Sequence, residues 1–474
     1  MEKEKRTGRG GYEMRKRKWV MRVMAVLLVL VTLLGLTGCR IVLGVREKEV
    51  VTLQEKDPTA ESGIGKGLGS AGANEVEEQK KSGSLRMQVF INESELHSSA
   101  WTDVVTAFEE ATGITVTLIM GSQVNTQNSA AWLAGESPAD IVWIAGNGIP
   151  DDEMEASGMF YDLSEILKEG TIYGTDAKIS DKVNMDVIRV SEDGAMYRAP
   201  LMNSIQGLWY DKRLVKDTPV NFDEFMSVSA KLKKKGIAGL TYPGMYADYS
   251  TWALFMPAVA AYGEDFFNQV ASGEPESFLD ERFKAVMTRY KKYCDAGYLL
   301  KGSTSADHTS SQLNWLNGKA GFITNGLWLE AEMQDYIPQD FQMKFCTSPM
   351  IASDQKPVII MHANSLAVSS SSANLENALE FIRFMYRDDV QLEFMSKYSY
   401  LSALKEIQYE NAEMTPVARE TLDYLYSGEA DIVNYHVNWS SLINNTFKTV
   451  INDVSAGTMT VDEACKRLYN DAKR

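Results

Sequence analysis

The chain has 474 residues, 45% of them hydrophobic, a length that buries a large core and predicts two or three domains. Nine of the 48 basic residues and three of the 64 acidic ones precede Cys39, which leaves 39 against 61 and a balance of −22 for the rest. A body this acidic repels phosphate backbones and anionic lipid heads, which excludes nucleic acid as a partner, although acidity by itself identifies no other.

In chain order, "MRKRKWVMRV" supplies a cationic stretch, "MAVLLVLVTLLGL" an apolar one, and "LTGC" (Leu36 to Cys39) follows at once. The apolar run has the length of a signal peptide and is short for a stable membrane span. Leu-Thr-Gly-Cys resembles the lipobox of bacterial lipoproteins, where a peptidase cuts before a cysteine that then carries lipid. Two acyl chains on Cys39 would anchor the protein stably. The alternative is an uncleaved anchor helix with an incidental cysteine. Met1, Met14 and Met21 each remain open as the start. The segment 39–84 is rich in Gly, Ser, Glu and Lys and cannot bury enough apolar surface to fold, so it reads as a tether. Its "GIGKGLGS" (Gly63 to Ser70) lacks the flanking strand, the helix and the Ser or Thr of a phosphate loop.

The folded part opens with an apolar strand, "LRMQVFI" (Leu85 to Ile91). A helix follows, "AWTDVVTAFEEATG", with Trp101, Val104, Val105 and Phe108 at helical spacing and Gly113 as its stop. The strand "ITVTLIM", a helical stretch to Gly135 and the strand "ADIVWIAG" continue the alternation, which predicts a parallel α/β sheet. Beyond it, "FDEFMSVSAKLKKKG", "FKAVMTRYKKYCDAG" and "NALEFIRFMYRDDVQLEFM" are amphipathic. Asp151 and Asp152 read as the start of a short helix. Cys294, Cys346 and Cys465 have no metal-ligand or CxxC spacing and read as buried apolar residues; no metal or cofactor is expected.

The order of several short motifs resembles the extracellular solute-binding proteins of sugar-importing ABC transporters, the maltose-binding-protein-like group. "FEEATGITVTL", "LAGESPADIVWIAG", "ASGMFYDLSEIL", "YRAPLMNSIQGLWYDKRLV", "LNGKAGFITNGLW" and "TVDEACKRL" carry the likeness, from Leu85 nearly to the C-terminus. Ala139 is inserted between Pro138 and Asp140, and Leu316 and Gly321 replace the usual residues of the fifth motif. The resemblance implies an α/β fold of two lobes joined by a hinge, with ligand in the cleft between them. It places lobe one at 85–199 plus 362–408 and lobe two at 200–361 plus 409–474, after a signal peptide at 1–38. Hinge candidates are Pro200 to Gln206 and Val358 to Asn364.

A sugar offers apolar C–H faces ringed by hydroxyls, so its site needs aromatic plates and neutral or acidic polar groups at the rim. Trp328, delivered by the strand and glycine of "ITNGLW", matches the family's cleft tryptophan; the alternative is a packing residue at the next helix. Tyr249 matches a family aromatic, with Asp248 beside it as a hydroxyl partner or a helix cap, and Trp252 reads as core. Trp143 and Asn147 flank the end of "DIVWIAGN", where Trp143 could face the core and Asn147 shape the turn. Asn92 and Glu95 are expected in the loop after the first strand. Trp439 precedes the last helices, in an uncertain register, and Asn203 and Asn364 sit on the crossing strands. Lys319, which gives "NGKAGF" a superficial nucleotide-binding look, reads as a surface residue at a turn.

The rival classes are a glycan hydrolase and a surface sensor of the same fold. No GxSxG or HExxH motif supports the first, and His97, His308, His362 and His436 lie in no catalytic motif. Two acids far apart in sequence would still suffice for a glycosidase. The expected protein is thus a monomeric, non-enzymatic carrier on the outer face of the cell membrane. It would be lipid-anchored through Cys39 and partnered by a carbohydrate and by ABC permease subunits.

Overall fold

The computed structural model describes residues 82–91, 95–145, 149–191, 193–246, 248–435 and 441–474; for residues 95, 96, 248 and 441–443 only the backbone is described. The signal segment, Cys39 and the tether up to residue 81 lie outside the described residues, as do Asn92, Asn147 and Trp439.

The chain opens with β1 (Gly83–Phe90), α1 (Glu95–Thr112), β2 (Ile114–Gly121), α2 (Val124–Leu133), β3 (Ile141–Ile144) and α3 (Asp151–Ala156). On α1 the apolar stripe Trp101, Val104, Val105 and Phe108 is buried, and Gly113 ends the helix at a φ of 80°. Glu95 is not in a loop: it opens α1, where an acid in the first turn suits the helix dipole. Next come β4 (Ala199–Asp211), α4 (Phe222–Lys234), β5 (Ala238–Thr241), α5 (Glu281–Asp295), α6 (His308–Leu316), β6 (Ala320–Gly326), α7 (Leu329–Met333) and β7 (Met343–Cys346). The last group is β8 (Val358–Val368), α8 (Leu375–Met385), α9 (Asp388–Tyr398), β9 (Leu401–Ser402), β10 (Asp431–Tyr435), α10 (Ser441–Ala456) and α11 (Val461–Ala472). The stretch Asn377 to Met395 is two helices, because Arg387 is extended and Asp388 and Asp389 start a new first turn.

The sheet runs β2-β1-β3-β8-β4-β6-β5, with β10 on β8 and with β7 and β9 on β4. It is mixed, which corrects the expected parallel sheet. β1 is parallel to β2 and β3, whereas β8 lies antiparallel to β3 and β4. The reason is connectivity. The first half of β4 pairs with β8 and its second half, Gln206 to Tyr210, pairs with β6, so one strand serves both ends of the sheet. Two large apolar clusters flank it. One gathers Leu85, Met87, Trp101, Phe108 and Phe381; the other gathers Phe225, Leu240, Phe255, Tyr290 and Phe447. The result is two α/β lobes, with both hinge candidates on the paired strands β4 and β8.

Local polar groups tie the frame together. Arg198 reaches Asp151 at 2.6 Å, Asp152 at 3.0 Å and Glu155 at 2.9 Å, and Arg189 reaches Asp152 at 2.8 Å and also Glu155. Burial raises the Asp151 carboxyl above its usual range; burial also pushes Glu155 upward, but the two guanidinium groups overcome it and hold Glu155 low. These acids therefore start α3 and also clamp the segment that enters β4. Cys346 and Cys465 are buried, Cys294 is half-buried, and all three are free. Burial pushes the Cys294 and Cys465 thiols up to about 12.

Candidate functional site

One face of the shared sheet forms the floor of a cleft. Residues directly opposite in an antiparallel pair point the same way, and every second residue repeats it. Trp143 is opposite Leu366, Asn364 opposite Met202, His362 opposite Ser204, and Gln206 opposite Gly326. Trp143, Asn364, His362, Ser204, Gln206 and Gly326 thus share one face. Asn203 is one residue out of phase: its Nδ2 donates to the Ser402 carbonyl oxygen at 3.0 Å, and it does not line the cavity.

The cavity above this floor measures about 260 Å³, just below the usual range of ligand pockets. Its lining includes Trp143, Gln206, His362 and Asn364 from the floor, with Tyr249, Trp252, Trp328, Glu332, His97, Tyr398 and Tyr400 as walls. No Lys or Arg is among the described lining residues. Trp328 follows the end of β6 and occupies the N-cap of α7. Its ring lies so close over Gly326 that a Cβ there would sit 2.2 Å from ring carbons, so only glycine fits under the plate. The rings form a continuous wall. Trp328 meets Tyr249 edge-on with centroids 5.9 Å apart and Tyr400 at 5.8 Å; Tyr398 meets Tyr400 at 5.5 Å and Trp143 at 5.6 Å. His97 stacks on Tyr398 at 3.9 Å.

Local backbone explains two of these placements. Tyr249 sits in a short helix, Asp248–Ser250, that continues into a π-helical turn, Thr251–Phe255. Such turns reset the side-chain phase. Trp252, expected in the core, packs half-buried against the second apolar cluster and on Tyr435 at 4.5 Å, and also lines the cavity. Ser399 is in the left-handed region at φ 57°, which stops α9 between the two wall tyrosines.

Apart from Glu332 the cleft is electrostatically quiet. Burial lowers His97 and His362 to about 4, so both imidazoles are neutral at physiological pH. Burial raises Glu332 to about 7, partly opposed by the hydrogen bond that Gln312 Nε2 donates to it at 2.9 Å. Among the polar atoms of lining residues, Trp143 Nε1, Gln206 Oε1 and Asn364 Nδ2 are buried without a protein partner. No group of three metal-ligating side chains occurs among the described residues.

Of the ten residues expected to touch ligand, Trp143, Tyr249, Trp328 and Asn364 come together here. Asp248 and Glu95 begin helices, with side chains outside the described residues, as are Asn92, Asn147 and Trp439 altogether. Lys319 is exposed at the turn before β6 and donates to Asn314 Oδ1 at 2.9 Å. Sequence reading missed His97, Gln206, Glu332, His362, Tyr398 and Tyr400. The only local signal was the aromatic doublet in "YSY", Tyr398 to Tyr400.

The sequence model of the bacterial extracellular solute-binding proteins matches residues 93–392, and the chain belongs to that family. A binding protein of Brucella abortus is 23% identical over 220 residues, 45% of this chain and 52% of its own, so the chain spans about half the length of such curated relatives. The maltooligosaccharide ABC transporter solute-binding lipoprotein of Streptococcus pneumoniae is 22% identical over 347 residues, 72% of this chain and 78% of its own. Among solved structures, a chitin oligosaccharide binding protein shares the fold with a TM-score of 0.65 at 20% identity, covering 82% of this chain and 98% of its own.

Proposed function

We propose that the chain is the membrane-anchored, extracytoplasmic substrate-binding component of an ABC importer for an uncharged carbohydrate. The observation that carries this reading is the cavity lining: aromatic plates around a neutral polar floor, with no Lys or Arg among the described lining residues. Aromatic faces take the C–H side of a sugar ring, and amides take its hydroxyls. The absence of a cationic clamp in that lining weighs against phosphorylated or strongly anionic sugars. The carbohydrates for which the pneumococcal relative and the chitin oligosaccharide binding protein are named support the same class.

By this reading Cys39 carries the lipid, 39–84 is the tether, and lobe one (85–199 with 362–408) and lobe two (200–361 with 409–474) bend about β4 and β8. Closure is a population shift, so the closed form must bind the sugar better than the open one. The ligand, an oligosaccharide or substituted sugar, passes unchanged to the permease.

A thermal-shift screen against neutral mono- and oligosaccharides, with peptides and polyamines as competitors for the assignment, tests this directly. A ligand at a hundred times its Kd adds about 2.7 kcal/mol of stability, a clear shift. A shift from peptide or polyamine alone would refute the carbohydrate assignment, and appearance of cleaved glycan would refute the carrier role. Labelled fatty acid should enter the wild-type protein and not Cys39→Ala; equal labelling would refute the anchor.

A further inference from the structure

The polar floor and the aromatic wall offer a ligand different kinds of information. An aromatic face attracts the C–H side of a pyranose whatever the directions of its hydroxyls, so it contributes affinity with little stereochemical choice. A buried donor or acceptor left without a partner costs about 5- to 150-fold in affinity, so it discriminates sharply between a ring that satisfies it and one that does not. The three unpartnered atoms sit on three neighbouring strands: Trp143 Nε1 on β3, Asn364 Nδ2 on β8 and Gln206 Oε1 on β4. All three residues share the cleft face by register. Gln206 is moreover the ladder partner of Gly326, the glycine over which the Trp328 ring lies. Trp328 and the three floor residues line one cavity, so a single ligand can meet both.

We propose that Gln206, Asn364 and Trp143 are the specificity-determining residues of the cleft, reading the hydroxyl edge of the one ring stacked on Trp328. The inference rests on the carbohydrate reading and deepens it. Two N–H donors and one carbonyl acceptor define the pattern, so the ring edge supplies two acceptor oxygens and one hydroxyl donor. These groups ride on paired strands and keep their spacing better than loop residues would. Inverting one hydroxyl at that edge leaves a floor atom unpartnered and costs affinity, whereas lengthening the sugar away from Trp328 does not.

Titration calorimetry of the full-length protein with maltotriose, xylobiose, N,N′-diacetylchitobiose, cellobiose and lactose tests it, the last two differing only in the direction of one hydroxyl. The wild type discriminates among these probes. Gln206→Ala and Asn364→Ala lower the affinity for the best probe about tenfold or more and narrow the spread among probes to within about twofold. Trp143→Phe keeps the ring, removes only the N–H and narrows the spread similarly. Trp328→Ala lowers every probe that binds by about 10- to 100-fold and preserves their ranking. A melting curve of each unliganded variant verifies folding. Unchanged ranking in the three floor variants, or a wild type that binds all probes equally, overturns the inference and leaves the carbohydrate reading standing. A wild type that binds none of the five overturns both.

Discussion

Two polar assemblies in this molecule serve opposite ends. At the entrance to β4, Arg189 and Arg198 are matched by Asp151, Asp152 and Glu155, with charge answering charge at hydrogen-bond distance. On the cleft floor, Trp143, Gln206 and Asn364 each keep a buried polar atom that no protein group answers. The first network is nearly complete, with Arg189 Nε its one loose end, and serves the fold; the second leaves its groups open to a ligand. The difference teaches where to look for function: in the groups whose chemistry the fold leaves unfinished, not in the densest charge.

The contrast can be broken in three places. Arg198→Ala leaves half-buried carboxylates without their main partner and should cost about 3 kcal/mol in denaturant unfolding, with ligand affinity little changed. A loss below about 0.5 kcal/mol would place this cluster with ordinary surface pairs. His97 comes next. Its folded pKa of about 4 lies below the 6.5 of the free side chain, so the unfolded chain takes up its proton first. Stability is therefore full above pH 6.5 and falls as pH drops toward 4, by about 2–3 kcal/mol for this group. His97→Gln should make that part of the stability profile shallower, with His362 supplying the rest, and an unchanged profile would remove His97 as a source. The smallest effect is the sharpest. Asn364→Ala removes an unanswered group, so the unliganded protein should be as stable as wild type or about 1 kcal/mol more so. A loss of more than 1 kcal/mol would mean that Asn364 serves the fold after all.

Much of the first lobe was legible because its signals are local. The strand at Leu85, the stripe Trp101 to Phe108 and the stop at Gly113 depend on neighbours in sequence. So did Trp328, which a strand and a glycine deliver by themselves. The floor was not legible, because its parity depends on register. Asn203 and Gln206 differ only in which face they occupy, and an irregularity between Pro200 and Met202 shifts the pairing there. Trp252 does pack on the core as expected, but its second role as cavity wall escaped because a π-helical turn is invisible to a 3.6-residue count. Tyr398, Tyr400 and Glu332 join the wall through pairings and contacts from distant parts of the chain, as when β9 pairs with β4. The mixed sheet escaped for the same reason, since β4 and β8 pair across long stretches of sequence.

The crossing strands also set an order of assembly. β3 must wait for β8, which lies over 220 residues later in the chain, before its open edge is covered. Until Val358–Val368 has been made and threaded between β3 and β4, the first lobe is a half-sheet with Trp143 at its rim. Such long-range closure is slow and leaves a sticky edge exposed in the meantime. The strands that let the lobes share a floor also leave the first half of the sheet unfinished until the chain has passed through the second.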